Sequence, residues 1–128
     1  MGPGTVSKDR PEIDNKRISA NGYRFAVVVS RWNSSFTDRL RSGALDSLRA
    51  GGATDDAVKV FQVPGAFELP LACLKAAESG RFDAVIALGV VIRGDTPHFE
   101  YVAGQAATGI MQAGLSTRVP VMFGVVTA

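Results

Sequence analysis

His98 is the single histidine of the sequence, and histidine is the side chain whose ordinary titration range suits proton transfer near neutrality. Its surroundings are chemically mixed. Arg93, Asp95 and Glu100 are close in sequence, and Thr96-Pro97 stands directly before it. Gly94-Asp95-Thr96 in front of a helical stretch offers free backbone N–H groups and a hydroxyl, the make-up of an anion site. The same residues read as a helix start, with Thr96 as N-cap and Pro97 at the first position. The two roles are compatible, because different N–H groups serve each. Asp95 is an awkward neighbour for an anion unless a cation such as Arg93 offsets it. Trp32, the single tryptophan, is placed to stack on a planar heterocycle or to pack against a helix. Glu68 follows Phe67 after a Pro64-Gly65 turn. It is suited to accept hydrogen bonds from ring or hydroxyl donors, or to complement a helix dipole. For His98 the plain alternative is a solvated histidine at a helix start.

These residues need a frame, and the apolar pattern supplies one. Phe25 to Val29 is a continuous apolar run, as a strand covered on both faces requires. Asn33, Ser34 and Ser35 offer caps, with Asp38 three residues after Ser35 as a capping box. Phe36, Leu40, Ala44, Leu45 and Leu48 then follow helical spacing up to Gly51-Gly52. The plan repeats. Val58 to Val63 is a second strand, closed by Pro64-Gly65. A helix with Pro70 in its first turn follows, with Leu71, Leu74 and Ala77 inward and Gly80 as its stop. Ala84 to Ile92 is the third strand. Phe99, Val102, Ala103, Ala106, Ile110 and Ala113 mark a third helix ending at Gly114, and Val121 to Val126 is a fourth strand. Periodicity alone makes Phe123 a core residue. Strands alternating with helices predict a parallel sheet with helices on both faces and right-handed crossovers. In open α/β sheets ligands bind at the strand C-terminal ends. Those ends carry Ser30–Ser35, Pro64–Glu68 and Arg93–Glu100.

Composition narrows the chemistry. The chain has 128 residues, enough for one domain with a real core. Lys and Arg number 14 against 12 Asp and Glu, a net charge of +2 that calls for no polyanionic partner. One cysteine, Cys73, excludes an intramolecular disulfide framework and multi-cysteine zinc sites. One histidine excludes HExxH. No apolar run approaches the ~20 residues of a membrane span, and no signal peptide is read, so a cytoplasmic location is expected. Phosphate-binding and dinucleotide glycine motifs are missing, as is a G-x-S-x-G elbow. Cys73, between Ala72 and Leu74, reads as a buried small residue. Residues 1–22 are charged and turn-rich, and read as a flexible arm that can add to the sheet edge of a neighbouring subunit.

Arg31-Trp32-Asn33, the run Pro64-Gly65-Ala66-Phe67-Glu68-Leu69-Pro70, the stretch Gly89 to Glu100 (GVVIRGDTPHFE) and the closing Pro120-Val121-Met122-Phe123-Gly124-Val125 resemble the lumazine synthase family. The likeness runs from about Arg24 to Thr127. It implies an α/β, flavodoxin-like three-layer sandwich around a four-stranded parallel sheet, with residues 23–128 as the catalytic domain. It implies the penultimate step of riboflavin biosynthesis, without cofactor or metal. There 5-amino-6-(D-ribitylamino)uracil condenses with 3,4-dihydroxy-2-butanone 4-phosphate to 6,7-dimethyl-8-ribityllumazine, phosphate and water. Family members are homopentamers, many of which stack to decamers or close into sixty-subunit shells, with sites between adjacent subunits. Riboflavin synthase is the implied protein partner; nucleic acid and membrane are not implied.

Carried onto this sequence, the resemblance makes Trp32 the stacking partner of the pyrimidine. Ala66, Phe67 and Glu68 hold the ring edge and ribityl chain, and Val90, Val91 and Ile92 line the pocket with backbone groups. Asp95 and Thr96 bind phosphate, and His98 is the acid/base. Phe123 closes the pocket from the adjacent subunit. Family chains continue past the last strand into C-terminal helices bearing a phosphate-neutralising Arg and a nearby Lys. The sequence stops short of these, so the expected domain lacks them. The rival expectations are a non-catalytic flavin or lumazine binder and a shell-forming assembly protein of the same fold. A third, the related archaeal-type riboflavin synthase, fits Thr96-Pro97-His98-Phe99 less well.

Overall fold

The computed structural model describes residues 18–94 and 97–128. Four strands and three helices alternate: β1 (Phe25–Ser30), α1 (Ser34–Ala50), β2 (Val58–Val63), α2 (Leu69–Glu78), β3 (Ala84–Val91), α3 (His98–Thr117) and β4 (Val121–Thr127). Short 3-10 turns precede β2 (Asp55–Ala57) and α2 (Ala66–Glu68). The strands form one sheet in the order β2-β1-β3-β4. Every pairing is parallel, with Phe25 opposite both Val58 and Ala84, and Val85 opposite Val121. The expected α/β sheet is present.

The order dictates the layers. From β1 the chain steps one way to β2, then reverses to reach β3 and β4. Crossovers of constant hand must then place α1 on one face and α2 with α3 on the other. The packing agrees. Leu40, Ala44, Leu45 and Leu48 of α1 cover Val27, Val29 and Leu88. Cys73 and Ala77 of α2, with Ala106, Ile110 and Ala113 of α3, cover Ala26, Val28, Val85, Ala87 and Val91. Side chains alternate between the faces along each strand, so β1 is buried on both sides from Ala26 to Ser30.

Some local expectations are corrected. Of the three expected caps of α1, Asn33 holds the N-cap position and Ser34 and Ser35 do not; Asn33 is left-handed (φ 63°, ψ 55°) and makes no side-chain cap bond, so no capping box forms. Leu71, expected inward, is exposed, and so is Phe36 at the start of the α1 series. On α2 the inward stripe is Leu69, Cys73 and Ala77, at the i, i+4, i+8 spacing that Leu71 falls outside. The third strand ends at Val91, and α3 passes through Gly114 to Thr117. It ends on left-handed Arg118, whose N–H donates to the Gly114 carbonyl. A Cβ on Gly114 would meet the Val119 oxygen at 3.5 Å and Val121 at 3.7 Å, ordinary contacts, so this glycine neither stops the helix nor is demanded by its neighbours. Phe123 is 51% exposed and not core. It lies on β4, an edge strand, whereas Val121 and Val125 on the same face reach the helices.

Of the expected arm, residues 1–17 lie outside the described residues. Ala20 N–H donates to the Gly51 carbonyl at 2.7 Å, joining that segment to the end of α1. Among the described residues no helix is long and apolar enough to cross a membrane.

Candidate active site

The reversal of chain direction lies between β1 and β3. The connections leaving those two strands diverge to opposite faces and leave a crevice, as the switch-point rule requires. A cavity of about 310 Å³ opens there. Trp32 enters it from the end of β1. Ala66, Phe67 and Glu68 enter from the turn after β2, and Val90, Val91 and Ile92 from the end of β3. His98, the first residue of α3, completes the wall.

Local structure explains each placement. The β1–β2 ladder runs on past the strands: Arg31 N–H donates to the Val63 carbonyl at 2.8 Å and Trp32 N–H to that of Pro64 at 3.0 Å. Trp32 is thereby fixed through its backbone, while its ring stays 73% exposed. The turn after β2 presses on the sheet at Gly89. A Cβ there would lie 3.1 Å from Leu69 Cδ1 and 3.7 Å from Ala66 Cβ. Gly89 thus gives Leu69 room to bury itself, with Ala66 buried beside it, while Phe67 and Glu68 stay outside in the cavity wall. Glu68 N–H closes the turn on the Gly65 carbonyl at 3.2 Å. The positive end of the α3 dipole faces the cavity at His98. Beside it the Arg93 guanidinium stands 5.4 Å from the centroid of the Phe99 ring, itself part of the wall.

Trp32, Ala66, Phe67, Glu68, Val90, Val91, Ile92 and His98 are therefore brought together. Phe123 is not; it projects from the edge strand outside the cavity wall. Asp95 and Thr96 lie outside the described residues. Pro64, Gly65, Phe99 and Val102 also line the cavity. The first three fall inside the strand-end segments expected to meet a ligand, without a role assigned to them, and Val102 lies on the inward stripe of α3 one turn from His98. An apolar wall with a carboxylate, an imidazole and an exposed indole suits a planar, polar small molecule.

Fold and crevice define a doubly wound α/β protein with its ligand site at the switch point. The family model for 6,7-dimethyl-8-ribityllumazine synthase matches residues 22–128. Curated relatives of that name share the sequence. The Chlorobium phaeobacteroides protein is 56% identical over 110 residues, 86% of this chain and 71% of its own length. The Desulfatibacillum aliphaticivorans protein is 50% identical over 117 residues, 91% of this chain and 76% of its own. The Desulfosudis oleivorans protein is 50% identical over 117 residues, 91% and 74%. The chain belongs to the 6,7-dimethyl-8-ribityllumazine synthase family.

Proposed function

We propose that this chain is a transferase of riboflavin biosynthesis. It condenses 5-amino-6-(D-ribitylamino)uracil with 3,4-dihydroxy-2-butanone 4-phosphate to give 6,7-dimethyl-8-ribityllumazine, with release of phosphate and water. Family membership supports the reaction. The observation that carries it is the switch-point cavity, where Trp32, Glu68 and His98 arrive from separate strand ends.

In this reading Trp32 stacks on the pyrimidine. Glu68, with the Ala66–Phe67 backbone, receives the ring edge and ribityl hydroxyls, and Val90, Val91 and Ile92 supply backbone partners below. The substrate's own amine attacks the ketone, so no enzyme nucleophile is needed. Imine formation, loss of phosphate and ring closure each move a proton, and His98 at the wall shuttles it. Asp95 and Thr96 take the phosphate, next to the positive end of α3. Phe123 serves a neighbouring subunit of a homopentamer, its exposed position on the edge strand supporting such a role. Pentamers that stack or form shells, a riboflavin synthase partner and a cytoplasmic location belong to the same reading.

Mixing the protein with both substrates tests it. Growth of lumazine fluorescence together with equimolar phosphate release is the expected result. Binding of the uracil without turnover would instead make the chain a ligand binder or a shell subunit.

A further inference from the structure

β1 ends at Ser30 and α1 begins at Ser34, and Asn33 is the last residue of the turn between them. Trp32 is still held by the β1–β2 ladder through its bond to Pro64. One residue later the Asn33 carbonyl already accepts from Phe36 N–H at 3.0 Å and Thr37 N–H at 3.1 Å, with the buried Thr37 hydroxyl at 3.5 Å. Most helix starts place an extended residue at this position, but here the junction is built on a left-handed one, Asn33, at φ 63°, ψ 55°. An ordinary L side chain disfavours that conformation by roughly five- to thirtyfold. Gly adopts it freely, and Asn and Asp tolerate it. The indole of Trp32 makes little use of packing, being 73% exposed. Its direction depends on the backbone on either side.

We infer that Asn33 is a positioning residue: its left-handed backbone aims Trp32 at the cavity, and its side chain is dispensable for that role. The inference rests on the proposed function for its substrate and on geometry for the rest. A competing use exists for the side chain, because Asn33 Nδ2 is buried without a hydrogen-bond partner among the described residues. Gly and Asp separate the two, since both accept the backbone and both lack the amide donor.

The test compares Asn33→Gly, Asn33→Asp and Asn33→Ala in the full chain. Trp32 is the single tryptophan, so its emission, anisotropy and quenching by acrylamide report this site in ligand-free protein. Gly and Asp should keep the wild-type fluorescence and a KM for the aminouracil within about twofold of wild type. Ala should alter Trp32 quenching and raise that KM by roughly five- to thirtyfold, with kcat less affected. An Ala variant identical to wild type overturns the inference. So do Gly and Asp variants as impaired as Ala, which would give the role to the amide. If no form turns over substrate while quenching still sets Ala apart, the proposed function fails and the positioning role stands.

Discussion

His98 enters the cavity as the first residue of α3, so the helix fixes its backbone and leaves its exposed ring free to meet a substrate. General acid–base help is worth about 10²–10⁴-fold. Holding two reactants in one crevice can supply roughly 7–11 kcal/mol. Positioning therefore outweighs proton transfer, and His98→Ala should lower kcat by up to about 10⁴-fold without abolishing turnover. Steady-state fluorescence of the product measures this, and a variant at wild-type rate would remove His98 from the mechanism. A second residue-scale test concerns the floor beneath the site. Ser30 is fully buried, and its Oγ has no hydrogen-bond partner among the described residues. Removing an unpaired hydroxyl leaves stability nearly unchanged or raises it. Gly89 is the opposite case, since a Cβ there would stand 3.0 Å from Ser30 Oγ and 3.1 Å from Leu69 Cδ1. Gly89→Ala should cost about 1–3 kcal/mol. Ser30→Ala removes one of the two close contacts, so in denaturant titrations the double variant should be more stable than the sum of the singles predicts. Strict additivity would show that the Leu69 contact alone sets the cost.

At the scale of elements, α2 and α3 lie side by side on one face and meet at Gly109. A Cβ there would fall 2.6 Å from Pro70 Cβ and 2.7 Å from Pro70 Cγ. The proline ring is rigid and cannot swing aside, so Gly109→Ala must push the helices apart. The α3 N-terminus carries His98, so the variant should lose about 1–3 kcal/mol of stability and some activity as well. Thermal unfolding and turnover measured on the same sample check both, and full activity at a lowered Tm would show the displacement does not reach His98. Element types were legible in the sequence because β1 and β3 are apolar on both faces and the α3 stripe from Phe99 to Ala113 keeps helical spacing. That the residues of the candidate site converge on one cavity was legible because they sit at strand ends, where a doubly wound sheet places ligands. What escaped depended on neighbours. Asn33 was legible as a cap of α1, but its left-handed backbone was not, since a capping residue is ordinarily extended. Gly114 resembles a helix stop, but the helix runs on to Thr117 and ends at left-handed Arg118. Phe123 has core spacing, but spacing does not say that β4 ends the sheet.

At the scale of the molecule, Cys73 ties the core to pH. It is fully buried among the residues packed between sheet and α2–α3, and burial pushes its thiol from 9.0 up to about 12. Burial penalises the thiolate, so the folded state keeps a proton that the unfolded chain gives up. Below pH 9 both states are neutral and the full stability is present. As pH rises from 9 toward 12, unfolding releases a proton and stability falls, by at most about 1.4 kcal/mol per pH unit. Other groups titrate in that range, and Cys73→Ala isolates the thiol. The alanine leaves a small cavity and should be less stable at pH 8. Because it lacks the ionisation, the gap between wild type and variant should narrow as pH rises through 9 to 11. Urea titrations at a series of pH values read the gap directly. Cys73 is also the single cysteine, so an uncharged alkylating reagent reports the same event by another route. Only the thiolate reacts, and in the folded state it is both inaccessible and disfavoured. Labelling should therefore follow global opening of the core and rise with denaturant along the unfolding curve. A gap that stays constant with pH, or rapid labelling of the folded protein, would mean that solvent reaches the interface between α2 and the sheet without unfolding.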